Sequence, residues 1–62
     1  MDIFDALAMW NNMGNTTEDR TTENGVYIIN FMKDGVVVGW IKTYPGQGIR
    51  WNYPEELMTQ MA

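Results

Sequence analysis

The sequence contains neither cysteine nor histidine. Disulfide staples, thiol nucleophiles, imidazole general bases and zinc sites built on these ligands are therefore excluded. Positive charge is scarce too: four Lys and Arg stand against eight Asp and Glu, a formal net charge of −4. That balance argues against nucleic acid as the main partner. No apolar run approaches the roughly 20 residues of a membrane span. The stretch Ile3–Trp10 is interrupted by Asp5 and follows Asp2 instead of a basic residue, so it does not read as a signal peptide. These absences lead to the expectation of a protein without a membrane partner or cofactor, in a reducing, cytoplasmic setting (host cytoplasm for a viral chain).

What is present is apolar bulk. Hydrophobic residues make up 45% of the 62, with three Trp and six Met among them. A chain of this length forms one small domain over residues 1–62 and buries only about 60% of the surface that its unfolded form exposes. It cannot hide every large side chain, so the surplus stays exposed or is covered by a second chain.

Residues 2–13 have the pattern of a helix. Asp2 is a good N-cap and Asp5 adds negative charge to the first turn. Ile3, Leu7 and Trp10 fall on one stripe beside Ala6 and Met13, while Phe4, Ala8 and Met9 widen the apolar arc beyond what one small core needs. Gly14 ends the helix, and residues 14–25, with no apolar side chain between Asn15 and Asn24, read as a polar loop. Two β-rich stretches flank Asp34-Gly35, the signature of a two-residue hairpin turn. That turn predicts the pairs Phe31 with Val38, Ile29 with Trp40 and Ile28 with Ile41. Tyr44–Gly48 forms the next turn, and Ile49–Tyr53 alternates as a half-buried strand, with Tyr44 expected opposite Ile49. Pro54-Glu55-Glu56 opens a short last helix with Leu57, Met58 and Met61 on its apolar side. The expected fold is α+β, a three-stranded antiparallel meander with an N-terminal and a short C-terminal helix (α-β-β-β-α).

This register sorts the sheet into two faces. An aromatic face with Tyr27, Ile29, Phe31, Val38, Trp40, Tyr44, Ile49, Trp51 and Tyr53 is expected under the first helix. The other holds Val26, Ile28, Met32, Val37 and Ile41, rimmed by polar residues that include Arg50. A sheet covered by helix on one side normally keeps its second face polar. An apolar centre with a polar rim is the layout of an association surface. The expected partner-binding residues are therefore Ile28, Met32, Val37, Ile41 and Arg50, with Met9 on the first helix adding an adaptable contact.

Chemical motifs are thin. Asp2 with Asp5, Glu18-Asp19 and Glu55-Glu56 sit at helix starts or in a polar segment, where capping and solvation account for them. Asp19–Gly25 lacks the spacing and closing Glu of a calcium loop, and Gly46-Gln47-Gly48 lacks the Lys and the helix of a phosphate loop. Neither catalytic nor metal-binding residues are expected. Stacking of bases on strand aromatics and acidic mimicry of DNA are each weakened by the charge pattern. The reading that remains is a non-catalytic protein-binding module that docks on a larger protein. Read as a complete chain, one this small fits a virus-encoded regulator or inhibitor of a host protein. The alternative is a self-assembling structural subunit, a homodimer or higher assembly of a virion or scaffold.

Overall fold

The computed structural model describes residues 2–61, the Met61 side chain excepted. Helix α1 spans Ile3–Asn12, strands β1 to β4 span Thr16–Thr21, Tyr27–Lys33, Val36–Tyr44 and Gly48–Asn52, and helix α2 spans Glu55–Met61. The strands form one antiparallel sheet in the order β1-β2-β3-β4, and both helices pack on one of its faces. The class is α+β, as the pattern of the sequence predicts, with four strands in place of three. No helix among the described residues is long and apolar enough to cross a membrane.

Helix α1 begins as its sequence dictates. The Asp2 carboxylate accepts a hydrogen bond from the Asp5 backbone N–H at 2.8 Å, satisfying one of the free donors of the first turn. Ala6 and Trp10 are fully buried, and Ile3, Leu7, Met9 and Met13 pack around them. Met9 therefore belongs to the edge of the core, which corrects its expected place on an outward-facing contact surface. The Trp10 indole N–H donates to the Thr16 carbonyl at 2.9 Å, so the buried ring leaves no polar atom unpaired and ties the end of α1 to the start of β1.

Strand β1 is the fourth strand, and it replaces most of the expected polar loop. Its residues, Thr-Thr-Glu-Asp-Arg-Thr, carry no apolar side chain, so hydrophobic alternation cannot reveal them. They pair fully with β2, from Thr16 opposite Met32 to Thr21 opposite Tyr27. Threonine is a good strand former, and a charged edge strand is protected from pairing with other chains. A tight turn closes the hairpin: Thr22 O accepts from Gly25 N at 3.0 Å, Thr22 N donates to Val26 O at 2.9 Å, and Val26 N donates to the Thr22 hydroxyl at 3.1 Å.

The Asp34-Gly35 turn stands where the sequence places it, with Lys33 opposite Val36 and Met32 opposite Val37. One step further the register changes. Phe31 pairs with Gly39, and Val38 is left over as a β-bulge. From there every residue of β3 points to the face opposite the expected one. Ile29 pairs with Ile41 instead of Trp40, and Ile28 pairs with Lys42 instead of Ile41. The next hairpin is offset as well, with Tyr44 opposite Gly48 and Ile41 opposite Trp51. The bulge thus turns Ile41 into the helix-covered core and turns Trp40 and Tyr44 out of it.

The core consists of Ala6 and Trp10 from α1, Phe31 and Ile41 from the sheet, and Leu57 from α2. The Phe31 ring stands edge-on to Trp10 at 5.7 Å and edge-on to Tyr53 at 6.0 Å between centroids. These are favourable aromatic geometries, and they place one phenyl ring at the centre of the domain.

Candidate functional site

The structure divides the six expected partner-binding residues between two faces. Ile28, Met32, Val37 and Arg50 lie on the open face, away from the helices, whereas Ile41 and Met9 lie on the helix side. Ile41 is only 1% exposed and offers nothing to a partner. Met32 is buried as well, Ile28 is half-buried, and Val37 and Arg50 are exposed. The reason is the bulge at Val38: without it, Ile41 would stand on the open face beside Ile28. Met61, expected on the apolar side of α2, has its side chain outside the described residues.

The surplus of apolar side chains collects on the helix side. Helix α1 crosses the sheet with Trp10 over Phe31, near the start of β1. At the other end of the same face, where β2 begins and β3 ends, the first turns of α1 leave the sheet partly uncovered. A groove of about 390 Å³ opens there between Ile3, Phe4 and Leu7 of α1 and Tyr27, Ile29 and Ile41 of the sheet. Phe4 stands 74% exposed at its rim. On the neighbouring strand the same face continues through Trp51 and Ile49, 57% and 44% exposed, and Trp51 lies nearly parallel to Tyr53 with centroids 6.2 Å apart.

The polar border of the groove is organised. The Tyr27 hydroxyl donates to Asp19 Oδ2 at 2.5 Å, across the β1–β2 pair. That hydrogen bond, with desolvation and the charge of Asp19 adding to it, raises the Tyr27 pKa above its ordinary value. Tyr53 is raised too, first by burial and then by the nearby carboxylate of Asp2. A second cleft, of about 330 Å³, lies beside Trp10, Val38 and Pro54, where Lys33 and Glu56 form an ion pair with each other. Among the described residues no three carboxylate, imidazole or thiol side chains gather as a metal site.

The groove residues were partly visible in the sequence. Phe4 belongs to the excess apolar arc of α1, and Tyr27, Ile49 and Trp51 belong to the face expected under the helix; that α1 leaves them exposed is not written in the pattern of the sequence. No family model, curated protein or solved structure matches the chain.

Proposed function

We propose that this chain is a non-catalytic binding module that docks on a larger protein through the helix-side groove and its aromatic rim. The observation that carries the reading is the exposure of Phe4 at the rim of an apolar groove, with Trp51 exposed on the same face of the sheet, opposite Ile41 of the groove wall. Large exposed apolar groups clustered around a concavity mark association sites, and a buried aromatic anchor is the usual source of affinity in them. A standard interface takes about 800 Å² from each partner. That is about a fifth of this chain's 4310 Å² surface, so docking occupies most of one face. A module with so little surface to spare acts by blocking or redirecting what it binds.

The test is capture from lysate of the cells in which the protein is expressed, with Phe4→Ser and Trp51→Ser compared with the unaltered chain. A protein held by the unaltered chain and lost by both variants, at unchanged circular dichroism, supports the reading. Retention by both variants, or no capture at all, overturns it. Sedimentation across a concentration range identifies the case in which the occupant of the groove is a second copy.

A further inference from the structure

The register aligns two rows of side chains across the open face of the sheet. One row runs Arg20, Ile28, Lys42, Arg50 from β1 to β4, and its neighbour runs Glu18, Asn30, Trp40, Asn52. Tyr44 follows on the same face, on the far side of Lys42 from Trp40. Three of the four cations therefore lie on one line that crosses all four strands. The fourth, Lys33, is paired with Glu56 on the helix side. Of the eight acids only Glu18 shares the open face; the others lie in or beside the helices, in connections or, for Asp19, on the opposite face. Net charge is a property of the whole chain, whereas a ligand meets one face, and this face has the opposite sign.

The spacing suits an extended chain of phosphates. Strands lie about 4.8 Å apart, so the row from Arg20 to Arg50 spans about 14 Å. Trp40 and Tyr44 stand about 7 Å to either side of Lys42 along β3. Each ring already carries a cation, with Lys42 Nζ 4.3 Å from the Trp40 centroid and the Arg50 guanidinium 5.9 Å from that of Tyr44. A ring face that holds a cation also accepts a stacked base, and the displaced cation is then free to meet a phosphate. Asn30 and Asn52, on either side of Trp40, supply the amide donors and acceptors that read a base edge.

We propose that the open face binds single-stranded nucleic acid, with the backbone along the Arg20–Lys42–Arg50 row and bases on Trp40 and Tyr44. An acidic polypeptide would use the cations but has no need of two aromatic platforms flanking them. A duplex fits less well, since a four-stranded sheet is wider than the roughly 12 Å major groove and paired, stacked bases cannot lie on Trp40 and Tyr44. The site lies on the opposite face from the proposed protein-docking groove, so either can fail without the other.

The experiment measures the anisotropy of fluorescein-labelled ten-nucleotide oligothymidine and oligouridine titrated with the full chain, from 20 mM salt upward. Binding is expected to fall with salt with a log–log slope near −2, as about three phosphate contacts on a single strand require. Trp40→Ala and Lys42→Glu should each weaken it at least tenfold, Trp40→Phe should retain most of it, and Met58→Ser, on α2, should leave it unchanged. Circular dichroism and urea midpoints establish that each variant is folded. Should Trp40→Ala or Lys42→Glu fail to fold, Arg20→Ser and Arg50→Ser, both at exposed positions, give the same readout. Absence of binding at 20 mM salt overturns the proposal, as does an unchanged affinity in the Trp40 and cation variants. Competition by oligoglutamate as strong as that by unlabelled oligonucleotide also overturns it, in favour of an acidic polypeptide.

Discussion

Pro54 rests directly on Gly39. A Cβ built on Gly39 would stand 2.7 Å from Pro54 Cδ, 2.9 Å from its nitrogen and 2.6 Å from the Asn52 carbonyl oxygen. The chain leaves β4 by crossing β3 at this point, and that crossing is what delivers α2 and its Leu57 to the core. The neighbours are backbone and a rigid ring, which have little room to yield. Gly39→Ala is expected to cost about 1–3 kcal/mol, the usual price of overpacking. Urea denaturation measures the loss, and a weakened near-ultraviolet signal of the aromatic residues shows that the core around α2 has loosened.

Gly35 is required for a different reason. Its φ is +78° and Asp34 before it has φ +52°, the two positive values of a tight hairpin turn, and nothing approaches within 4 Å of where a Cβ would go. Gly35→Ala should therefore cost only the torsional strain of a left-handed residue, about 1–2 kcal/mol. Gly35→Asn should cost less, because Asn tolerates that conformation. Neither should alter the near-ultraviolet spectrum, which separates the turn from the crossing at Gly39.

The helix ends, the Asp34-Gly35 turn and the short terminal helix were all legible, because each depends on local chemistry: a capping carboxylate, a glycine with positive φ, a proline before two acids. The register beyond the turn was not. Val36, Val37 and Val38 are identical, so alternation carries no mark of which one is extra, and the bulge reversed the faces of Trp40, Ile41 and Tyr44. Strand β1 was hidden for the opposite reason: an edge strand made of Thr, Glu, Asp and Arg has no apolar period to detect. The candidate surface inherited both errors. The surplus of apolar bulk was readable from composition, but its position depended on parity within β3.

That reversal has a direct mutational consequence. Ile41 is at the centre of the core, whereas Ile28 is half-buried on the open face. Ile41→Asp places an unpaired carboxylate in an apolar interior and should abolish cooperative unfolding, and Ile41→Ala should cost about 2–5 kcal/mol. Ile28→Asp, beside Arg20 and Lys42, should leave a folded protein with a midpoint close to the unaltered one. Thermal melts followed at 222 nm distinguish the two outcomes.

Tyr27 and Tyr53 make stability fall at high pH. Both hold their phenolic proton more tightly when folded, Tyr27 through its hydrogen bond to Asp19 and Tyr53 through burial. A folded pKa above the unfolded value means that the contribution is complete below about pH 10 and is lost as pH rises beyond it, since the unfolded chain releases its protons first. Absorbance at 295 nm should show these two phenols ionising late. Asp19→Asn removes the charged acceptor and should bring the Tyr27 titration earlier, leaving Tyr53 where it was.

The bulge can be excised. Met32 pairs with Val37 and Phe31 pairs with Gly39, so Val38, between those two pairs, has no partner on β2. Removing it joins those two pairs into a regular ladder without moving Ile41, Trp40 or Tyr44 to another face, because parity on either side of the gap is already correct. Since Val36, Val37 and Val38 are identical, deletion of any of them yields the same chain, and the chain itself selects the register. Its core should be the native one, with an Ile29–Ile41 contact by nuclear Overhauser effect. The loss should be about 1–2 kcal/mol, from the added strand twist that a bulge supplies and the Val38 contacts beside Pro54. Deleting Lys42 instead shifts Thr43 and Tyr44 to opposite faces against both β2 and β4, where no bulge absorbs the change. That chain should lose cooperative folding. If both deletions prove equally damaging, the parity argument that assigns Trp40 and Ile41 to their faces is wrong, and both proposed surfaces fall with it.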